Sequence, residues 1–244
     1  MKKAMIAICG ILAVGFAVMT VYSGRQLWEI RADYAAEAEM HRLMLQYSPN
    51  SVPEQESEAE GTFVNHSIAD LQEKYSDAVG WLTVPQTEID YPFVQYKDND
   101  YYLYRNINGE VSEAGTIFMD YRCRNDFASP NTILYGHHMH NGSVFGTLNH
   151  FSERDFFNEN RSGVIYLKEE TLPLEFFACM VVESEDEEIY NPIRSERYLE
   201  YVKQHARHFR DIELTDENRI VTLSTCSYEF ENARVVLLAK ISQE

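Results

Sequence analysis

A cysteine and an arginine eight positions apart offer the most legible chemistry in the sequence. Cys226 closes the apolar run Thr222-Leu223-Ser224-Thr225-Cys226, and Arg234 lies in the apolar run that follows. Paired as a hairpin centred on Phe230, the two runs put Cys226 opposite Arg234, with Cβ atoms about 4.5–5.5 Å apart on one face. A free thiol titrates near 8.5, and a neighbouring cation favours the thiolate, which is the nucleophile. The guanidinium also offers fixed N–H donors to the oxyanion formed when a carbonyl is attacked. The alternative is a cysteine of ordinary packing beside a surface arginine. Ser224 shares strand parity with Cys226, so its hydroxyl either faces a substrate or satisfies a backbone group. His137, His138 and His140 are clustered, but no carboxylate or cysteine stands at ligand spacing and HExxH is absent, so no metal is expected. Gly142-Ser143 lacks the glycine two places before the serine that a nucleophile elbow needs, and reads as a turn.

The elements that position these residues are mostly strands. Short β-prone runs separated by turn residues cover Gly80–Val84, Glu88–Gln95, Thr116–Met119, Thr132–Tyr135, Val164–Lys168, Leu172–Val182, Ile220–Thr225 and Ala233–Ile241. So many short strands predict a mainly β fold, a closed barrel or a sandwich. One helix interrupts them, with Asn191 as cap, Pro192 in the first turn, and Leu199, Val202, Ala206 and Phe209 at helical spacing. The acidic run from Glu183 to Glu188 before it reads as a solvated loop. Ser67 with Asp70 three residues later predicts a capped short helix carrying Ile68, Leu71 and Tyr75 on one side.

The chain has 244 residues and a formal net charge of -18 with no basic patch, which excludes nucleic acid as a partner. Residues Ala4 to Tyr22 carry no charge, and 19 helical residues at about 1.5 Å each just span a hydrocarbon core of about 30 Å. Lys2 and Lys3 mark the cytoplasmic end, and Val21-Tyr22-Ser23 matches a signal-peptide cleavage site poorly, so an uncleaved anchor is expected. The expected layout is an anchor over 1–24, a juxtamembrane helix and acidic tether over 25–62, and an extracellular domain over 63–244 that begins near Phe63. The four cysteines at 9, 123, 179 and 226 form no close pair, which excludes CxxC motifs; a Cys123–Cys179 bridge stays open.

A strand ending in Thr-Leu-Ser-Thr-Cys with an arginine on the next strand resembles the signature of the sortases, the cysteine transpeptidases of Gram-positive bacteria. The likeness extends to Gly80-Trp81-Leu82, Thr87-Glu88-Ile89-Asp90-Tyr91-Pro92, Asp98-Asn99-Asp100-Tyr101-Tyr102-Leu103 and Gly115-Thr116-Ile117-Phe118-Met119-Asp120, and to the helix before the cysteine strand, as in the class B branch. It covers roughly Ser67 to Ile241. It implies a closed sortase-type β-barrel with N-terminal helices and one long helix before the cysteine strand. The family pattern of strand, glycine, histidine points to His137 over His138 as the proton donor to the leaving amine. Ser224, Thr225, Tyr228 and His138 are the neighbouring candidates for substrate contact; Tyr228 stands where some class B relatives carry an acidic residue. The implied reaction needs no cofactor. Its partners are surface proteins with a C-terminal sorting signal, a peptidoglycan or pilin amine, and the membrane. A peptidase releasing free acid and an anchored binding module without catalysis are the rival functions.

Overall fold

The computed structural model describes residues 2–49, 64–215 and 217–242, with the side chains of residues 3–9 and 11 outside the described set. The acidic tether and the domain start at Phe63 fall almost wholly outside the described residues. The chain divides into two units, Met1–Met40 and His41–Glu244. Helix α1 runs Lys2–Met44, as expected of a segment without Gly or Pro beyond residue 24, and Leu12, Phe16, Met19, Val21 and Trp28 are exposed along it. Among the described residues no helix is long and apolar enough to cross a membrane. Seven of the 19 residues from Ala4 to Tyr22 lie outside the described side chains.

The second unit is a barrel. Its strands are β1 (Ala78–Thr83), β2 (Asp90–Gln95), β3 (Ile117–Met119), β4 (Asn131–Tyr135), β5 (Ser162–Tyr166), β6 (Thr171–Glu183), β7 (His208–Phe209), β8 (Ile220–Cys226) and β9 (Ala233–Ile241). They follow one another in the order β5-β1-β2-β3-β4-β8-β9-β6-β7, and β5 also pairs with β6. That last pairing closes an eight-stranded ring and leaves the two-residue β7 as an addition on β6. Closure satisfies the strand-edge N–H and C=O groups that an open sheet would expose. Phe93, Phe127, Phe151, Phe157, Phe176 and Phe177 are fully buried, each contributing about 1.5–3 kcal/mol.

All eight strands read from the sequence are present, with ends shifted by a few residues. The helices differ more. Helix α2 covers His66–Lys74 and buries Ile68 and Leu71, but its cap is Asn65, whose side chain accepts from the Ile68 N–H, and not Ser67. Helix α3 (Arg154–Glu159) follows a 3-10 segment over Gly146–Ser152. The helix before the cysteine strand, α4, is confined to Tyr198–His205. Residues 191–197 form turns, because Asn131 on β4 binds the carbonyls of Ile189 and Asn191 at 2.9 and 3.0 Å and holds the chain down there. At the other end the backbone N–H groups of Arg207 and Arg210 donate to Cys179 and Phe177 carbonyls on β6, which draws His208 and Phe209 into β7. Cys123 and Cys179 are buried free thiols, so the open bridge between them is not made.

Candidate active site

Cys226 is the last residue of β8 and pairs with Arg234 of β9, the register expected for a hairpin centred on Phe230. The tip is closed by Ser227 N–H to Ala233 O at 2.9 Å and Ala233 N–H to Phe230 O at 3.2 Å. On its other edge β8 runs parallel to β4, with Tyr135 beside Ser224. The Gly136 N–H then donates to Ser224 O at 3.2 Å, and the Thr225 hydroxyl donates to Gly136 O at 2.8 Å. These bonds tie Gly136, one residue past the end of β4, to β8, and His137 is the next residue along the chain. The glycine is a steric requirement. A Cβ on Gly136 would lie 2.7 Å from the Phe145 ring.

The His137 ring is fixed by the main chain. Its Nε2 lies 2.6 Å from the carbonyl oxygen of Leu103, and a carbonyl can only accept, so this nitrogen carries the hydrogen. In the neutral ring the lone pair is then on Nδ1. The Leu103 carbonyl is itself crowded into place by Gly115, which has φ +60° and whose absent Cβ would lie 2.5 Å from that oxygen. Tyr104 flanks the imidazole, ring centroids 5.4 Å apart.

The remaining candidates sort by contact. Ser224 is buried, and its hydroxyl lies 2.8 Å from the Tyr190 hydroxyl, so a side chain and not the backbone partners it. Burial holds the Tyr190 phenol well above its ordinary pKa and therefore neutral. Thr225 is also buried, its hydroxyl spent on the β4 extension. Tyr228 is 68% exposed on the hairpin tip and stacks on His140 at 5.7 Å, with His138 at 5.3 Å. The Asn149 side-chain N lies 3.0 Å from Nδ1 of His138 and donates to the Cys226 carbonyl at 3.4 Å. Burial, then repulsion from His140 and His150, lowers the His138 pKa. The surroundings of His138 thus disfavour its charged form. Among the described residues no group of three or more His, Cys, Asp or Glu side chains could hold a metal ion.

Three contributors escaped the sequence. Leu103 works through its carbonyl, which any residue type supplies. Tyr190 and Asn149 reach the site from segments with no motif of their own.

The register sets a thiol opposite a guanidinium on β8 and β9, with an imidazole at the end of the neighbouring β4. Known proteins share the fold. The sortase domain family matches residues 82–242. Sortase B of Listeria monocytogenes is 38% identical over 184 residues, which cover 73% of this chain and 75% of that protein. A class B sortase of Streptococcus pyogenes involved in pilus biogenesis is similar in structure, with TM-score 0.67 and 35% identity over 71% of this chain and 97% of that one. A sortase B structure from Bacillus anthracis reaches TM-score 0.76 at 34% identity, covering 86% and 98% of the two chains. With its barrel, its cysteine hairpin and these relatives in agreement, the chain belongs to the sortase family, in the class B branch.

Proposed function

We propose that Cys226, His137 and Arg234 carry out the two half-reactions by which this sortase, a cysteine transpeptidase, joins a protein to an amine. The observation that carries the assignment is the register that sets Cys226 opposite Arg234 on β9, with His137 two residues past Tyr135 as Cys226 is two past its partner Ser224. The Cys226 thiolate attacks the threonine carbonyl of a sorting signal, and Arg234 donates to the oxyanion. Collapse breaks the C–N bond as His137 Nδ1 gives its proton to the leaving nitrogen, which would otherwise depart as a very poor anion. A thioester on Cys226 results. A neutral amine then attacks the thioester carbonyl and loses a proton to His137, and the thiolate is released.

Sortases act on surface proteins that bear sorting signals and on cell-wall amines. For this chain the acceptor is a peptidoglycan peptide or its lipid-linked precursor, with a pilin lysine as the alternative favoured by the Streptococcus pyogenes likeness. Ser224 and Tyr228 are assigned to substrate contact, beside His138; Thr225 supports the strand beneath them. The uncharged Ala4–Tyr22 stretch, with its exposed apolar residues on α1, supports a single-pass anchor with the catalytic unit outside the cell. A tether of acidic residues lets that unit meet substrates still held at the membrane.

The test is a purified protein given a sorting-signal peptide with and without short amines. A Cys226 adduct by mass spectrometry, slow release of acid, and a shift to amide product as amine is added are the expected results. Acid at every amine concentration, across several wall-like acceptors, would make the protein a peptidase.

A further inference from the structure

Asp120 closes the Gly115–Asp120 motif, and nothing in the reaction uses it directly. It is the one fully buried carboxylate among the described residues. Its Oδ1 accepts from the Arg122 backbone N–H and Nε, both at 2.9 Å. Its Oδ2 accepts from Arg122 Nη2 at 2.7 Å, Asn99 Nδ2 at 3.0 Å and the Tyr135 hydroxyl at 3.0 Å. Burial opposes the charge, but the bonds from Arg122 and Asn99 outweigh it and keep the carboxyl below its ordinary pKa, so it is ionised.

Two of these partners lead to opposite walls of the site. Asn99 opens the segment that ends in the 3-10 turn Tyr101–Tyr104, whose Leu103 carbonyl fixes the His137 ring. Its own carbonyl oxygen accepts from the Tyr121 N–H at 3.0 Å, so it is clamped from both ends of its amide. Tyr135 stacks on Tyr190, and Arg122 Nη2 donates to the Tyr190 carbonyl at 2.8 Å. Tyr190 in turn holds the Ser224 hydroxyl. A carboxylate needed only to neutralise Arg122 could sit in water, since that side chain is 43% exposed. Desolvating it fully has a cost that pays off only if its geometry matters.

We propose that Asp120 is a positioning residue that sets the two walls of the site against each other, the His137 wall through Asn99 and the Ser224 wall through Tyr135 and Arg122. The proposal rests on His137 as the proton donor and Ser224 as a substrate contact. It predicts two separable effects. Loosening the His137 wall slows expulsion of an amine, which needs a proton, more than expulsion of a thiolate, which does not. Loosening the Ser224 wall weakens binding of either substrate.

The experiment compares a sorting-signal peptide with an analogue in which sulfur replaces the scissile N–H. For Asp120→Asn, kcat on the amide should fall about tenfold or more while kcat on the sulfur analogue falls much less, and KM should rise for both. Asn99→Ala should lower the amide-to-thioester ratio with KM unchanged. Tyr135→Phe should raise KM with the ratio unchanged, and these two variants carry the test if Asp120→Asn does not fold. Equal losses on both substrates with unchanged KM, in all three variants, mean that Asp120 only supports the fold and overturn the proposal. A His137→Ala variant that leaves the ratio unchanged would instead remove the proton-donor reading beneath it.

Discussion

Removing the Ser224 hydroxyl tests what that residue is for. Ser224 is 2% exposed and its Oγ lies 2.8 Å from the buried Tyr190 hydroxyl. Ser224→Ala leaves that phenol without this partner in a site closed to water, which costs about 1–3 kcal/mol. In a domain of about 200 residues each kcal/mol moves Tm by about 2–4 °C, so the expected fall is roughly 2–12 °C. Tyr190→Phe strands the serine hydroxyl and should cost a similar amount. The double variant removes donor and acceptor together, so its loss should fall short of the summed single losses by about 1 kcal/mol or more. Melts by circular dichroism at one pH give all three values. Cleavage of a sorting-signal peptide, measured in parallel, separates stability from contact. If Ser224 touches the substrate, the double variant regains part of the summed Tm loss but kcat/KM remains low. A Ser224→Ala protein that melts with the wild type, together with strictly additive losses, would refute the pairing argument.

Cys226→Ala should abolish both cleavage and amide formation with little change in Tm, checked by product analysis and a melt; normal turnover removes Cys226 as nucleophile. Arg234→Lys keeps the charge and loses the two-donor fork, so single-turnover acylation should slow on the order of a hundredfold. Burial pushes the Cys123 and Cys179 thiols up to about 11 and about 12, so iodoacetamide at neutral pH should label Cys226 and spare both until the protein unfolds, as peptide mapping will show. The same shifts set an alkaline limit. Between the unfolded pKa near 9 and the raised folded values the native state binds more protons, so stability falls as pH rises, by about 1.4 kcal/mol per thiol at pH 10. Cys179→Ala should flatten that decline in urea titrations from pH 8 to 10.5.

The barrel was legible because its strands carry β-branched and aromatic runs between turn residues, and because pairing geometry is local enough to read. The Cys226 to Arg234 register followed from nothing more than a hairpin centred on Phe230. The helix before β8 was over-read, since the spacing of Leu199, Val202, Ala206 and Phe209 is helical while the hydrogen bonds that end the helix come from distant partners. Asn131 on β4 and the carbonyls of Phe177 and Cys179 on β6 decide those ends. Likewise, the sequence alone could not distinguish a Ser224 bonded to backbone from one bonded to Tyr190, 34 residues away. The anchor of His137 was hidden for a different reason, because a main-chain carbonyl has no signature in residue type.

The hairpin that carries the nucleophile separates what must stay fixed from what can drift. Cys226 and Arg234 meet through a ladder of paired backbone that continues to Ile220 and Lys240, and no loop delivers either of them. Besides its backbone bonds and the ring contacts of Tyr228, the tip between them is held to the rest of the barrel by the pair Arg207 and Glu229, partly exposed on both sides, and surface pairs of this kind are worth about 0–1 kcal/mol and weaken with salt. Exposed tip residues such as Tyr228 can be exchanged while the strand pairing keeps Cys226 and Arg234 in place. Reactivity and selectivity can then diverge independently within one short stretch of chain, so that new sorting signals become reachable by small changes that leave the bond-making apparatus untouched.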